Sequence, residues 1–155
     1  MKRRKNRIRE KTLIIYYDFH FAFYDIWNCI REFAENVPIL GFDLKDNQIK
    51  DFIASVRTLE IRICNEWITN IADVSKYFTD NEIKEMYTMY SDLVKIEEIL
   101  KRPVETVENS EWNSLYKLMN NYVYEISGEN YERVGIMVTQ KVFDICNKLR
   151  KVGRF

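Results

Sequence analysis

From Arg9 to Asn36 the chain is apolar for most of its length, and the spacing of its few polar residues decides what it can fold into. Among them Lys11, Asp18, Asp25, Asn28, Glu32 and Glu35 follow in steps of seven, seven, three, four and three. A strand alternates with a period of two, whereas steps of three, four and seven trace one narrow stripe along an α-helix. The rest of the circumference carries Leu13, Ile15, Tyr16, Phe19, Phe23, Ile26, Trp27, Ile30 and Phe33. A helix apolar over most of its surface is either central in its own domain or covered by a partner. A basic start before an apolar stretch also has the outline of a signal peptide or anchor. Asp18, His20 and Asp25 interrupt the stretch, however, and no window reaches about 18 uninterrupted apolar residues. The segment therefore reads as a long, largely buried first helix.

The remainder continues in helical steps. A second helix is expected from Asp46 to Tyr77, with Ile49, Phe52, Val56, Leu59, Ile63, Trp67, Ile71 and Val74 inward. Thr79-Asp80-Asn81-Glu82 matches a capping box, with Phe78 and Ile83 placed as a hydrophobic staple, so a third helix starts there and runs to Pro103. After a loop over 103–109, Ser110 is expected to cap a fourth helix carrying Trp112, Leu115, Met119, Tyr122 and Ile126, ended by Gly128. A fifth runs from about Asn130 to Val152, and Gly135 inside it predicts a close helix contact. Four Gly and two Pro leave little material for a many-turned β protein. The expected fold is all-α, a single-domain bundle of about five helices. A basic, flexible arm is expected over residues 1–10 and the bundle domain over 11–155.

Groups that carry chemistry are sparse. The three cysteines, Cys29, Cys64 and Cys146, are widely spaced among apolar neighbours, which favours buried reduced thiols and a cytoplasmic protein. The only histidine is His20, set among Tyr16, Tyr17, Phe23 and Tyr24. Asp18, Asp25 and Glu32 lie a heptad apart, but bundle di-metal sites need Glu-x-x-His motifs on two helices. Asp18, Asp25 and Glu32 therefore read first as a solvated stripe. Glycine-rich phosphate loops, nucleophile elbows and zinc spacings are missing from the sequence. No catalytic residue, metal or cofactor is assigned, and an enzyme with an unfamiliar site near His20 stays as the last alternative.

Charge and aromatics are more informative. Lysine plus arginine and aspartate plus glutamate number 24 each, yet the signs are segregated. Lys2, Arg3, Arg4, Lys5, Arg7, Arg9 and Lys11 face one acid, Glu10, at one end; Lys148, Arg150, Lys151 and Arg154 crowd the other. The body between is acidic. These basic residues are candidate contacts for nucleic acid or an anionic surface, and would form one basic pole if the terminal helices run together. Ten tyrosines exceed what one small core needs, and Tyr17, Tyr24, Tyr77, Tyr124 and Tyr131 are candidate interface residues. The leading expectation is a non-enzymatic interaction or regulatory module, of antitoxin-like or virus-encoded anti-defence type, that binds a protein partner or itself as a homodimer. A nucleic-acid-binding accessory protein using the basic ends is the alternative.

Overall fold

The structure, a computed structural model, describes residues 2–36, 43–127 and 135–155. Six α-helices and a two-stranded ribbon follow in the order α1 (Lys2–Asn36), α2 (Asp46–Val56), α3 (Trp67–Val74), α4 (Asp80–Lys101), α5 (Asn109–Val123), β1 (Tyr124–Ser127), β2 (Gly135–Val138) and α6 (Gln140–Gly153). The chain is thus mainly helical. Among the described residues no helix is long and apolar enough to cross a membrane.

α1 has 35 residues, which at 1.5 Å per residue makes a rod of about 50 Å. It packs against α2, α3, α5 and α6. Ile15, Phe19, Ala22, Phe23, Ile26, Ile30 and Phe33 are its buried face. Aromatic rings knit that face to its neighbours. Phe19 lies 4.6 Å from Tyr90 of α4, and Phe33 lies 5.4 Å from Phe52 of α2 and 5.9 Å from Tyr116 of α5. Edge-on and tilted pairs of this kind add about 0.5–1.5 kcal/mol each beyond their burial. The first helix is central, as its polar period requires. It also begins earlier than expected: residues 2–10, expected as a flexible arm, are its first turns.

α6 runs antiparallel to α1. Phe143 meets Phe23 at a ring separation of 5.0 Å, and Phe155 meets Tyr16 at 5.3 Å. Gly153 sits against the fully buried Thr12; a Cβ there would fall within clashing range of the Thr12 hydroxyl and 2.6 Å from Phe155 Cε1. The close helix approach expected at Gly135 is therefore made by Gly153, while Gly135 lies in a strand.

Three expected helices have different bounds. The second is two, α2 and α3, because residues 57–66 leave the helix. Leu59, Ile61 and Ile63 alternate there with Glu60 and Arg62, and the alternation shows in burial, with Ile61 buried and Glu60 and Arg62 exposed. The Asp18 carboxylate accepts the Cys64 backbone N–H at 3.2 Å. The fourth, expected to reach Ile126, stops at Val123, and it starts two residues earlier than a Ser110 cap would set it: Glu108 is the N-cap and Ser110 lies inside the first turn. The fifth starts at Gln140, capped by the Thr139 hydroxyl. Between them β1 and β2 pair antiparallel, with Tyr124 opposite Val138 and Ser127 opposite Gly135. The helical class is as expected, with this short ribbon as a local addition to it. The capping box, by contrast, is present as read: Thr79 N–H donates to Glu82 Oε1 at 2.8 Å and Glu82 N–H donates to Thr79 Oγ1 at 3.2 Å.

Candidate interaction surface

The outward face of α1 is aromatic. Tyr17, Phe21 and Tyr24 are 46%, 58% and 41% exposed, half of the large apolar side chains exposed among the described residues. They lie in steps of four and three and so form one ridge along the helix. Tyr17 and Phe21 stack at 5.4 Å. The ridge continues through half-buried Ile14 to exposed Glu10 at one end, and through exposed Asn28 to exposed Arg31 at the other. The Arg31 guanidinium lies 4.8 Å from the Trp27 ring, which holds it beside the ridge.

Both flanks of the ridge are concave. On one side a groove of about 550 Å³ runs between α1 and residues 55–62, bordered by Phe21, Asp25 and Asn28 and walled by Leu59, Ile61 and Arg62. On the other, between α1 and α6, a smaller pocket of about 180 Å³ is lined by Tyr16, His20, Tyr24, Cys146 and Arg150. His20 is stacked on Tyr16 at 5.1 Å and meets Tyr24 edge-on at 4.9 Å. Burial pushes the Cys146 thiol up to about 12 and, with the Glu32 charge adding to it, the Cys29 thiol up to about 11. Both are poor nucleophiles at neutral pH. No grouping of three or more His, Cys, Asp and Glu able to hold a metal occurs among the described residues.

The heptad acids divide. Asp25 and Glu32 are exposed, but Asp18 is not part of a solvated stripe. Its Oδ2 accepts the Tyr90 hydroxyl at 2.7 Å as well as the Cys64 amide. Burial raises its pKa despite both hydrogen bonds. Asp18 is a structural clamp joining α1, α4 and the segment before α3.

The other candidate residues fall in two groups. Arg3, Arg7 and Arg9 of α1, Arg150 and Lys151 of α6 and Arg154 just after it are exposed, and the antiparallel packing of the two helices brings both basic ends to one pole. Lys2, Arg4 and Lys5 belong to the same helix, their side chains outside the described set. Arg7 and Lys11 share Asp73 at 3.4 and 4.0 Å, and half-buried Lys148 reaches Glu82 at 3.8 Å. Of the interface tyrosines, Tyr17 and Tyr24 are on the ridge. Tyr77 is exposed elsewhere, with Lys76 5.2 Å from its ring. Tyr124 is half-buried and hydrogen-bonded to Trp27. Tyr131 lies outside the described residues. Phe21, the most exposed of the ridge, is the residue that the count of tyrosines missed.

Comparison with protein families, with curated proteins and with solved structures finds no match for this chain.

Proposed function

We propose that the protein is an interaction or regulatory module that works by docking through the ridge of α1. The observation that carries this reading is the run Tyr17–Phe21–Tyr24, exposed on the same helix whose opposite face is the core. Aromatic residues are enriched where protein surfaces meet, and a contiguous exposed apolar patch on a globular surface marks an interaction site. The ridge stands on a rigid element, so docking requires little ordering of the chain. Partner types consistent with the reading include the toxin of an antitoxin-like pair or a defence protein.

The test is positional. A photo-crosslinking amino acid is placed in living cells at Tyr17, Phe21 or Tyr24, and for comparison at Lys84 or Glu98 on the exposed side of α4. Covalent adducts at the three ridge positions and none at the two on α4 are the expected result. Equal yields at both sets would remove the reading.

A second reading rests on a separate observation, the convergence of the basic ends of α1 and α6 at one pole. Such a cluster attracts phosphates by counterion release, with binding that weakens steeply as salt rises. Fluorescence anisotropy with short RNA and DNA, using the full chain and a variant with Arg3, Arg7 and Arg9 replaced by Gln, tests it. Salt-sensitive binding reduced at least tenfold in the variant is expected, and identical titrations would exclude it.

A further inference from the structure

We infer that the pocket between α1 and α6 receives one base of a single-stranded nucleic acid, whose phosphates follow the neighbouring arginines toward the basic pole. This rests on the nucleic-acid reading of that pole and names the form of strand it takes. The pocket, of about 180 Å³, is lined largely by rings. His20 is held between Tyr16 at 5.1 Å and Tyr24 at 4.9 Å, and Phe143 is set against Phe23 at 5.0 Å, so the rings are in place before anything binds. Tyr24 is 41% exposed and offers ring surface to a ligand. Exposed Asn147 supplies an amide donor and a carbonyl acceptor beside them, the two kinds of group that a base edge pairs with. Sites that enclose a whole small molecule run to about 300–1,000 Å³. This one takes a single flat ring and leaves the rest of its ligand outside.

Charge decides what lies outside. Arg150 borders the pocket itself. Arg154 stands between Gly153, which abuts Thr12, and Phe155, which packs on Tyr16. Arg9 precedes Tyr16 by seven residues, two helical turns, and so keeps the bearing of that pocket residue. Because α1 and α6 are antiparallel, all three lead from the pocket to the basic pole. Arg7, Lys11 and Lys148 share their charge with Asp73 and Glu82, whereas Arg9, Arg150 and Arg154 pair with no carboxylate among the described residues. Uncommitted guanidinium groups beside an aromatic pocket fit a ligand that repeats anionic charge and carries flat rings. A nucleic-acid strand has both. Stacking on aromatic side chains tolerates any sequence, because every base has a π-face, while basic residues track the backbone. A duplex keeps its bases stacked inside and turns its phosphates outward, so it would leave these rings unused.

The experiment separates ring from charge. Anisotropy is measured at low salt with labelled single strands of DNA and of RNA about a dozen nucleotides long, with the matching duplexes, and with an abasic strand of equal length. The abasic strand keeps the phosphates and lacks every base. A single strand of either sugar is expected to bind at least tenfold tighter than its duplex and than the abasic strand. Tyr24→Ala should weaken single-strand binding about tenfold and leave abasic binding unchanged, with Tyr24→Phe close to native. Arg150→Gln combined with Arg154→Gln should weaken single-strand and abasic binding alike. A fluorescent base analogue within the strand should be quenched on binding to the native chain and to Tyr24→Phe, and not on binding to Tyr24→Ala. All of these positions are exposed, and far-UV circular dichroism checks that each variant is folded. A duplex or abasic strand that binds as tightly as the single strand, or a Tyr24→Ala chain that loses affinity equally for every probe, would overturn the inference and leave the pole as a phosphate contact. Absence of salt-sensitive binding to any probe would remove the nucleic-acid reading and this inference with it.

Discussion

Gly153 and Thr12 form a lock-and-key pair at the crossing of α1 and α6. Thr12 is fully buried and its hydroxyl donates to the Ile8 and Arg9 carbonyls at 2.8 and 2.9 Å, so it has no free rotamer into which to retreat. Gly153→Ala gains about 1 kcal/mol of helix propensity at most. It must also place a methyl where the Thr12 hydroxyl stands, and overpacking of this kind costs about 1–3 kcal/mol. The clash should win, and chemical denaturation should show Gly153→Ala destabilised by about 1–2 kcal/mol. Adding Thr12→Ala should recover part of the loss, because two residues in direct contact do not behave additively. A second prediction concerns Asp18. Burial favours its protonated form in the fold, so its contribution is fullest below the ordinary carboxyl value of 3.8 and is lost as pH rises through the raised folded value. Both hydrogen bonds end on the same oxygen, Oδ2, which an amide can replace. Asp18→Asn should therefore gain stability relative to the native chain as pH rises from 3 to 7, read as a widening difference in melting temperature. A constant difference would refute it.

Among the elements, α4 has the most explicit start. Removing the Thr79 side chain withdraws the acceptor for the Glu82 N–H and breaks a reciprocal pair. Thr79→Ala is expected to cost about 1 kcal/mol, with Thr79→Ser close to native. Thermal melts of the three chains decide it. This cap was legible in the sequence because every part of it lies within four consecutive residues. The same holds for the end of α4 before Pro103 and for the central role of α1, whose period extends over more than seven turns. What was not legible depends on distant partners. Leu59, Ile61 and Ile63 fit a helical template at two positions and a two-residue alternation at all three. The choice is made by Asp18, 46 residues away, which takes up the Cys64 amide. The ribbon is a similar case. Val138 satisfies a helical spacing with Val142, but Ile136 and Val138 are β-branched and pair with Tyr124 and Ile126 across the intervening chain. Of the surface, the tyrosine surplus pointed to Tyr17 and Tyr24 but not to Phe21, because a phenylalanine on an apolar helix is counted as core by default. The signal that identifies it is spacing: Glu10, Ile14, Tyr17, Phe21, Tyr24, Asn28 and Arg31 follow in alternating steps of four and three, a seam of their own beside the core-facing one.

For the molecule as a whole, the basic runs at the two ends of the chain come together in space at the adjoining ends of α1 and α6, where Asp73 and Glu82 offset part of the charge through Arg7, Lys11 and Lys148. The amino-terminal charges are the more telling, because they ride on the same continuous helix as the aromatic ridge. A loose basic tail has no angular memory, and lengthening it by one residue changes nothing that a partner can sense. A helix has phase. One alanine inserted between Asn6 and Arg7 turns the preceding residues by about 100° around the axis while advancing them only about 1.5 Å, whereas four alanines return them almost to their original bearing. If these charges meet an anionic partner, anisotropy should show the single insertion weakening binding several-fold and the fourfold insertion restoring most of it; equal effects would show that the first turns act as a tail. With the phase intact, ridge and charges face fixed directions, and whatever binds at one of them is held at a set angle to the other.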